Sequence, residues 1–238
     1  RDSSTSRGLG DVYKRQVHGS PLNAPVITLG EKKSLFGEKA QANEYVSYAL
    51  YYWPDPANPD GPYKPIDGKK NKRLRSMDDS GRMAAFISTV CNLGRQYELD
   101  RDPQAASRAG QWLKAWFIAP ATRMQPHLKY AQIRPGHRTE GDGGGIIDLY
   151  RMPEFLEALT ALKCSNALTA EEWKQVDAWL NQYYTWLTTS RQGRHAHTRS
   201  NNHYLFYVAQ CAHLASFLGR SHEAAQWLSL IHISEPTR

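Results

Sequence analysis

"TAEEWKQVDAWLNQYYTWL", residues 169–187, decides the fold class. Thr169 followed three residues later by Glu172 is a capping box, in which hydroxyl and carboxylate each serve an unpaired N–H at a helix start. Trp173, Val176, Leu180, Tyr183 and Leu187 then recur at three- and four-residue spacing, the mark of one buried helix face. The same period appears on both sides. Upstream, Phe155, Leu156, Leu159 and Leu162 mark a helix, and Ala109, Trp112, Leu113, Trp116 and Phe117 mark another, opened by Asp102-Pro103 as cap and first turn. Met83, Phe86, Val90 and Tyr97 give a third. Downstream, Leu205, Val208, Ala212 and Ala215 continue the theme, and Ser221 opens one more helix. The pattern predicts an all-α chain of antiparallel helical hairpins, with loops alternately short and long.

The long loops are the chemically rich part. Residues 17–45 read as loop. Residues 45–83 begin aromatic, carry five prolines, and end in a cationic run of Lys64, Lys69, Lys70, Lys72, Arg73 and Arg75. Residues 120–145 form another irregular stretch. Loops of this length inside a compact domain are usually functional.

The two ends read differently. Residues 6–16, "SRGLGDVYKRQ", can be back-translated to DNA whose reverse complement encodes "LSLIHISEPTR", residues 228–238. An inverted repeat of this kind resembles a translated sequencing-library adapter, and such segments are set aside in fold reasoning. The expected organisation is therefore residues 1–16 from adapter, 17–227 as the N-terminal part of a toroid domain, and 228–238 from adapter. The terminal segment alternates like a short strand, and both ends are expected to pack poorly. Residues 1–16 contribute +2 of the formal +7, which leaves about +5 for 17–227. A mild basic excess suits an anionic partner. Cys91, Cys164 and Cys211 lie far apart, outside any zinc or disulfide pattern, and read as buried small hydrophobes. No apolar run approaches membrane-helix length.

"RSNNHYLFY", residues 199–207, is the sharpest short motif. Asn201, Asn202 and His203 stand where loop turns to helix, as caps and a half-buried histidine or as a site. The preceding loop holds Arg191, Arg194, His195, His197 and Arg199. A metal site from His195, His197 and His203 is conceivable, but three arginines oppose a cation. "EGDGGGIID", residues 140–148, lacks the Gly-Lys-Ser/Thr ending of a phosphate loop and reads as a turn allowing close backbone approach. Glu140, Asp142 and Asp148 have no spacing that favours a glycosidase pair. Tyr51, Tyr52, Trp53, Tyr63 and Tyr130 could stack on sugars while neighbouring cations pair with carboxylates. No nucleic-acid motif accompanies the basic loops.

Four stretches, "SYALYYWPDPANPDGPY", "WFIAPATRMQPHLKYAQIRPG", "GGGIIDL" and "NNH", together resemble the alginate lyase domain family, polysaccharide lyases with an α/α toroid. The resemblance covers nearly all of residues 45–227. It implies an incomplete α/α toroid and β-elimination on a uronate polymer, without cofactor or metal. By the resemblance, Asn202 and His203 are catalytic. Tyr63, Lys64 and Lys69 lie on a lid that touches substrate. Tyr130 and Gln132 line the cleft, and Arg199 binds substrate. The family's further arginine and tyrosine fall beyond Trp227 by spacing. The partner implied is an anionic polysaccharide, neither nucleic acid nor membrane, and the location periplasmic or secreted. A non-catalytic glycan-binding protein on the same toroid is the alternative. Tyr204-Leu205-Phe206 stands where characterised members tend to have Ser-Tyr-Trp, and His127 where relatives often have Asn. Both departures bear on substrate choice.

Overall fold

The computed structural model describes residues 25–32 and 34–233. The expected adapter segment 1–16 and residues 234–238 lie outside the described residues. The described residues among 25–45 contain no regular element. Strands β1 (Val46–Tyr48), β2 (Tyr52–Trp53) and β3 (Lys64–Pro65) and a short helix α1 (Lys72–Ser76) follow. Helix α2 spans Ser80–Asp100 and α3 spans Pro103–Leu113, which runs on as a π-helical turn, Lys114–Ile118. Next come β4 (Tyr130–Ile133) and a 3₁₀ segment, Gly143–Leu149. The remaining helices are α4 (Met152–Lys163), α5 (Ala170–Thr189), α6 (Arg191–His197), α7 (Asn202–Phe217) and α8 (Ser221–Ile233).

The fold is predominantly helical, as the periodicity predicts. One row sets α2, α4 and α7 side by side, while α3 backs α2 and its π turn packs on α5. Thr169 and Glu172 close the expected capping box, and Asp102 caps α3 ahead of Pro103. Aromatic residues fill the space between the rows. Phe86 stacks on Trp116 at 4.3 Å, and Phe117 meets Trp179 at 4.6 Å. Offset and tilted ring pairs add to the burial of their large apolar area. The indole N–H groups reach outward: Trp116 donates to the Ile27 carbonyl and Trp179 to the Met124 carbonyl. Core side chains thereby anchor the two irregular segments. The π turn widens the helix where Trp116 and Phe117 must both enter the core.

Several local readings are corrected. The stretch read as a loop before Asn201 holds helix α6. Ser190 ends α5 and at once caps α6, its hydroxyl accepting from Gly193 N–H. Leu205 is exposed, while Val208, Ala212 and Ala215 are buried, so the apolar face of α7 begins one turn later. Cys164 is exposed at the end of α4. Residues 228–233, read as strand-like alternation, continue α8, because an existing helix extends at the cost of one residue per new hydrogen bond. Leu228 stays exposed there and Leu230 packs partly on the core.

The strands are small but decide where the loops go. β1 pairs in parallel with β4, joining Val46 to Tyr130 and Tyr48 to Ile133. β2 and β3 form an antiparallel ribbon in the long aromatic and cationic loop. The glycine run lets these parts close up. A Cβ on Gly145 would lie 2.4 Å from the Ala131 carbonyl oxygen, and one on Gly143 would lie 2.3 Å from Ala196 N. Both neighbours are backbone and cannot swing aside. Gly145→Ala is therefore expected to cost about 1–3 kcal/mol of unfolding free energy, read from urea denaturation.

Candidate active site

The residues flanking β1, helix α2, β4, the 3₁₀ segment and the start of α7 surround a cavity of about 790 Å³. Its floor is a hydrogen-bonded group centred on Asp148. Tyr45 donates its phenol to Asp148 Oδ2 at 2.9 Å, and Ser47 donates its hydroxyl to the same oxygen at 2.5 Å. Gln132 Nε2 donates to Asp148 Oδ1 at 2.7 Å, and the Gln132 N–H donates to Ser47 Oγ at 2.7 Å. Gln132 sits at φ 52°, in the left-handed region that a residue with a side chain seldom adopts. Two hydrogen bonds, one through its backbone and one through its amide, hold it there, the usual setting of strain at a functional position. Burial raises the Asp148 pKa, against the pull of Gln132, Ser47, Tyr45 and Arg75.

One wall comes from the N-terminal end of α7. Asn201 caps that helix, its Oδ1 accepting from His203 N–H at 3.1 Å. The cap leaves Asn202 and His203 facing the cavity, with Arg199 beside them. Asp142, at the start of the 3₁₀ segment, accepts from Gly144 N–H at 2.7 Å, Arg134 at 3.0 Å and Arg199 at 3.4 Å. Burial would raise the Asp142 carboxyl, but the Gly144 amide and the arginines hold it below its usual range. His203 moves the other way. Burial and the nearby Arg199 charge lower its pKa, outweighing the Gly144 backbone, Asp142 and Asp148, so the imidazole is neutral at neutral pH. His203 Nδ1 and Arg199 Nε are buried without a hydrogen-bond partner among the described residues. Unpaired buried polar atoms are costly.

The residues expected from sequence divide into two sets. Gln132, Arg199, Asn202 and His203 come together on the cavity wall. Tyr63, Lys64, Lys69 and Tyr130 do not line it. Tyr63 packs against Phe36, and Tyr130 belongs to a small core with Val46, Tyr48, Leu74 and Ile133. Lys64 pairs with Asp55 at 2.6 Å, and Lys69 lies over the Trp53 ring at 4.7 Å, so both hold the loop to itself. From the same cationic run, Lys70 and Arg75 reach the cavity instead. Arg134 and Asp148 were also missed as site members. The "GGGIID" stretch held the signal for Asp148, but an acid among glycines looks alike whether solvated or buried. His195 and His197 part company on α6: His195 Nδ1 accepts from Gly143 N–H, and His197 stacks on Tyr204 at 5.9 Å. Among the described residues no group of three His, Cys, Asp or Glu could hold a metal ion.

Two measurements check this geometry. Asp148→Ala strips the acceptor from three donors and is expected to cost about 3 kcal/mol in urea denaturation. His203 should titrate below the usual value near 6.5 in a proton NMR titration, and Arg199→Gln should move its midpoint upward. The sign for stability follows: the unfolded chain takes up this proton first, so the neutral His203 contribution is lost as pH falls below about 6.5.

Comparison with known proteins shows the family. The sequence model of the family described as alginate lyase matches residues 28–234, including residues 228–234 of the segment that the codon argument assigns to adapter DNA. The crystal structure of an alginate lyase from Bacteroides ovatus, at 1.60 Å resolution, is similar with a TM-score of 0.85 and 30% identity. The alignment covers 92% of this chain and 57% of that one, so the chain spans little more than half the length of that relative. No curated protein matches the chain. With a helical fold, an Asn-His pair on a cationic cavity wall, and a family match along nearly its whole length, the chain belongs to the alginate lyase family.

Proposed function

We propose that the cavity is the cleft of a polysaccharide lyase that cleaves a uronate polymer, alginate-like, by β-elimination. The observation that carries this is the neutral His203 set between Arg199 and Asn202 on a cationic wall. The reaction needs the uronate carboxylate neutralised, so that the proton on C5 becomes acidic. Arg199 and Asn202 supply donors for that carboxylate, preorganised on a helix end. His203, neutral and on the cavity wall, accepts the C5 proton. The C–H electron pair becomes the C4–C5 double bond, and the C4–O4 bond breaks. O4 then takes a proton from an acid. Tyr45 is a poor acid, because burial and Asp148 hold its phenol well above the ordinary tyrosine range. That role goes to the tyrosine that the family resemblance places beyond Trp227, together with its arginine.

The loop carrying Tyr63, Lys64 and Lys69 is assigned to a lid over the cleft. A polymeric anionic substrate places the enzyme in the periplasm or outside the cell. Nucleic acid and membrane are not assigned as partners; no helix among the described residues is long and apolar enough to cross a membrane. The test is digestion of polyuronate by the complete gene product. Unsaturated products should appear by their ultraviolet absorbance. His203→Ala should lower kcat by about 10²–10⁴-fold and Asn202→Ala by about 10²–10³-fold. Polyuronate binding with no unsaturated product would instead establish the non-catalytic glycan-binding alternative.

A further inference from the structure

A basin of about 400 Å³ shares Arg134, Asp142 and Arg199 with the cavity and adds Arg138, His195, Asn201 and the hydroxyl residues Thr198 and Ser200. Its hydrogen-bonding character is one-sided. The three arginines offer donors only. His195 accepts the Gly143 N–H at Nδ1, 3.1 Å away, so the hydrogen-bond network assigns its proton to Nε2. Asn201 spends its Oδ1 on the cap of α7 and keeps its NH₂ free to donate. Asp142 is the one acid, and its oxygens are taken by the Gly144 N–H and by two arginines. Arg138 is exposed, and its guanidinium has no hydrogen-bond or ion-pair partner among the described residues. Thr198 and Ser200 complete the lining with hydroxyls that can donate or accept. The basin is thus net cationic and richer in donors than in acceptors. Such a lining suits a group that brings acceptors and negative charge, a carboxylate above all.

We propose that this basin holds a second carboxylate of the same polymer, on a sugar unit neighbouring the one beside His203. Arg134 and Arg199 bridge the two places, so adjacent anionic groups share one row of guanidiniums. The basin then sets the shortest chain that is gripped, and a uronate unit followed by a neutral sugar is bound less well. This rests on the polyuronate reading of the adjoining cavity.

The bland competitor is a solvated arginine surface, where exposed charges contribute little. Calorimetric titration with a diuronate and a tetrauronate separates the two. The wild-type chain should bind the longer oligosaccharide about tenfold more tightly, and Arg138→Ala should bring that ratio close to one. Arg138→Lys, which keeps the charge but loses the fork, should fall between them. A ratio unchanged by Arg138→Ala, with binding intact, overturns the basin while sparing the cavity. If neither oligosaccharide binds, the uronate reading itself fails. Inorganic sulfate, titrated in parallel, carries the anion chemistry without the sugar. Sulfate binding that Arg138→Ala abolishes keeps the basin as an anion site, and sulfate binding indifferent to Arg138, or none at all, removes it.

Discussion

Asp148 is the group on which the site is built. Its two oxygens gather a phenol from the residue before β1, a hydroxyl from β1 and an amide from β4, segments far apart in sequence. The parallel pairing of β1 with β4 brings Ser47 beside Gln132, and the carboxylate ties both down. A buried carboxylate is tolerable when several donors satisfy it, and each donor is then fixed in turn. Here that fixing extends to backbone: Gln132 is held in a left-handed conformation that its side chain would otherwise avoid. The cavity floor is rigid because a costly group is fully paired.

The wall above works by imbalance. Arginines crowd around α7 and the 3₁₀ segment, and Asp142 offsets only part of their charge. The same cationic field that would attract a polyanion also disfavours protonation of His203. Substrate affinity and a neutral imidazole thus share one cause. The helix cap contributes geometry: Asn201 is consumed in ending the loop, and the next two residues are aimed into the cavity. The glycine run serves the same end by absence of side chains, letting the 3₁₀ segment lie against β4 and α6 at backbone contact.

The helices were legible because their signals are local. A capping box, a proline after a cap, and apolar residues at three- and four-residue spacing report on neighbours within one or two turns. The cap at Asn201 was legible for a similar reason, but the local pattern could not tell a half-buried histidine from a site residue, and only the family resemblance marked Asn202 and His203. Helix α6 was missed because its seven residues, rich in arginine and histidine, lack an apolar face long enough to show a period. The continuation of α8 was missed because a helix already started needs little help from the residues that extend it.

By itself the sequence determined the helical class, the cap positions and the aromatic core through short-range patterns, while Asn202 and His203 were singled out as a site by resemblance to a family. Only the tertiary structure decided which cations face the cavity. Lys64 and Lys69 turned to Asp55 and Trp53, while Lys70 and Arg75 turned inward, although all four lie in one charged run. It also decided that Asp148 is a structural anchor, through partners 16, 101 and 103 residues away. Charged side chains in a loop carry no period that tells inside from outside. Their direction is set by what the fold brings opposite them.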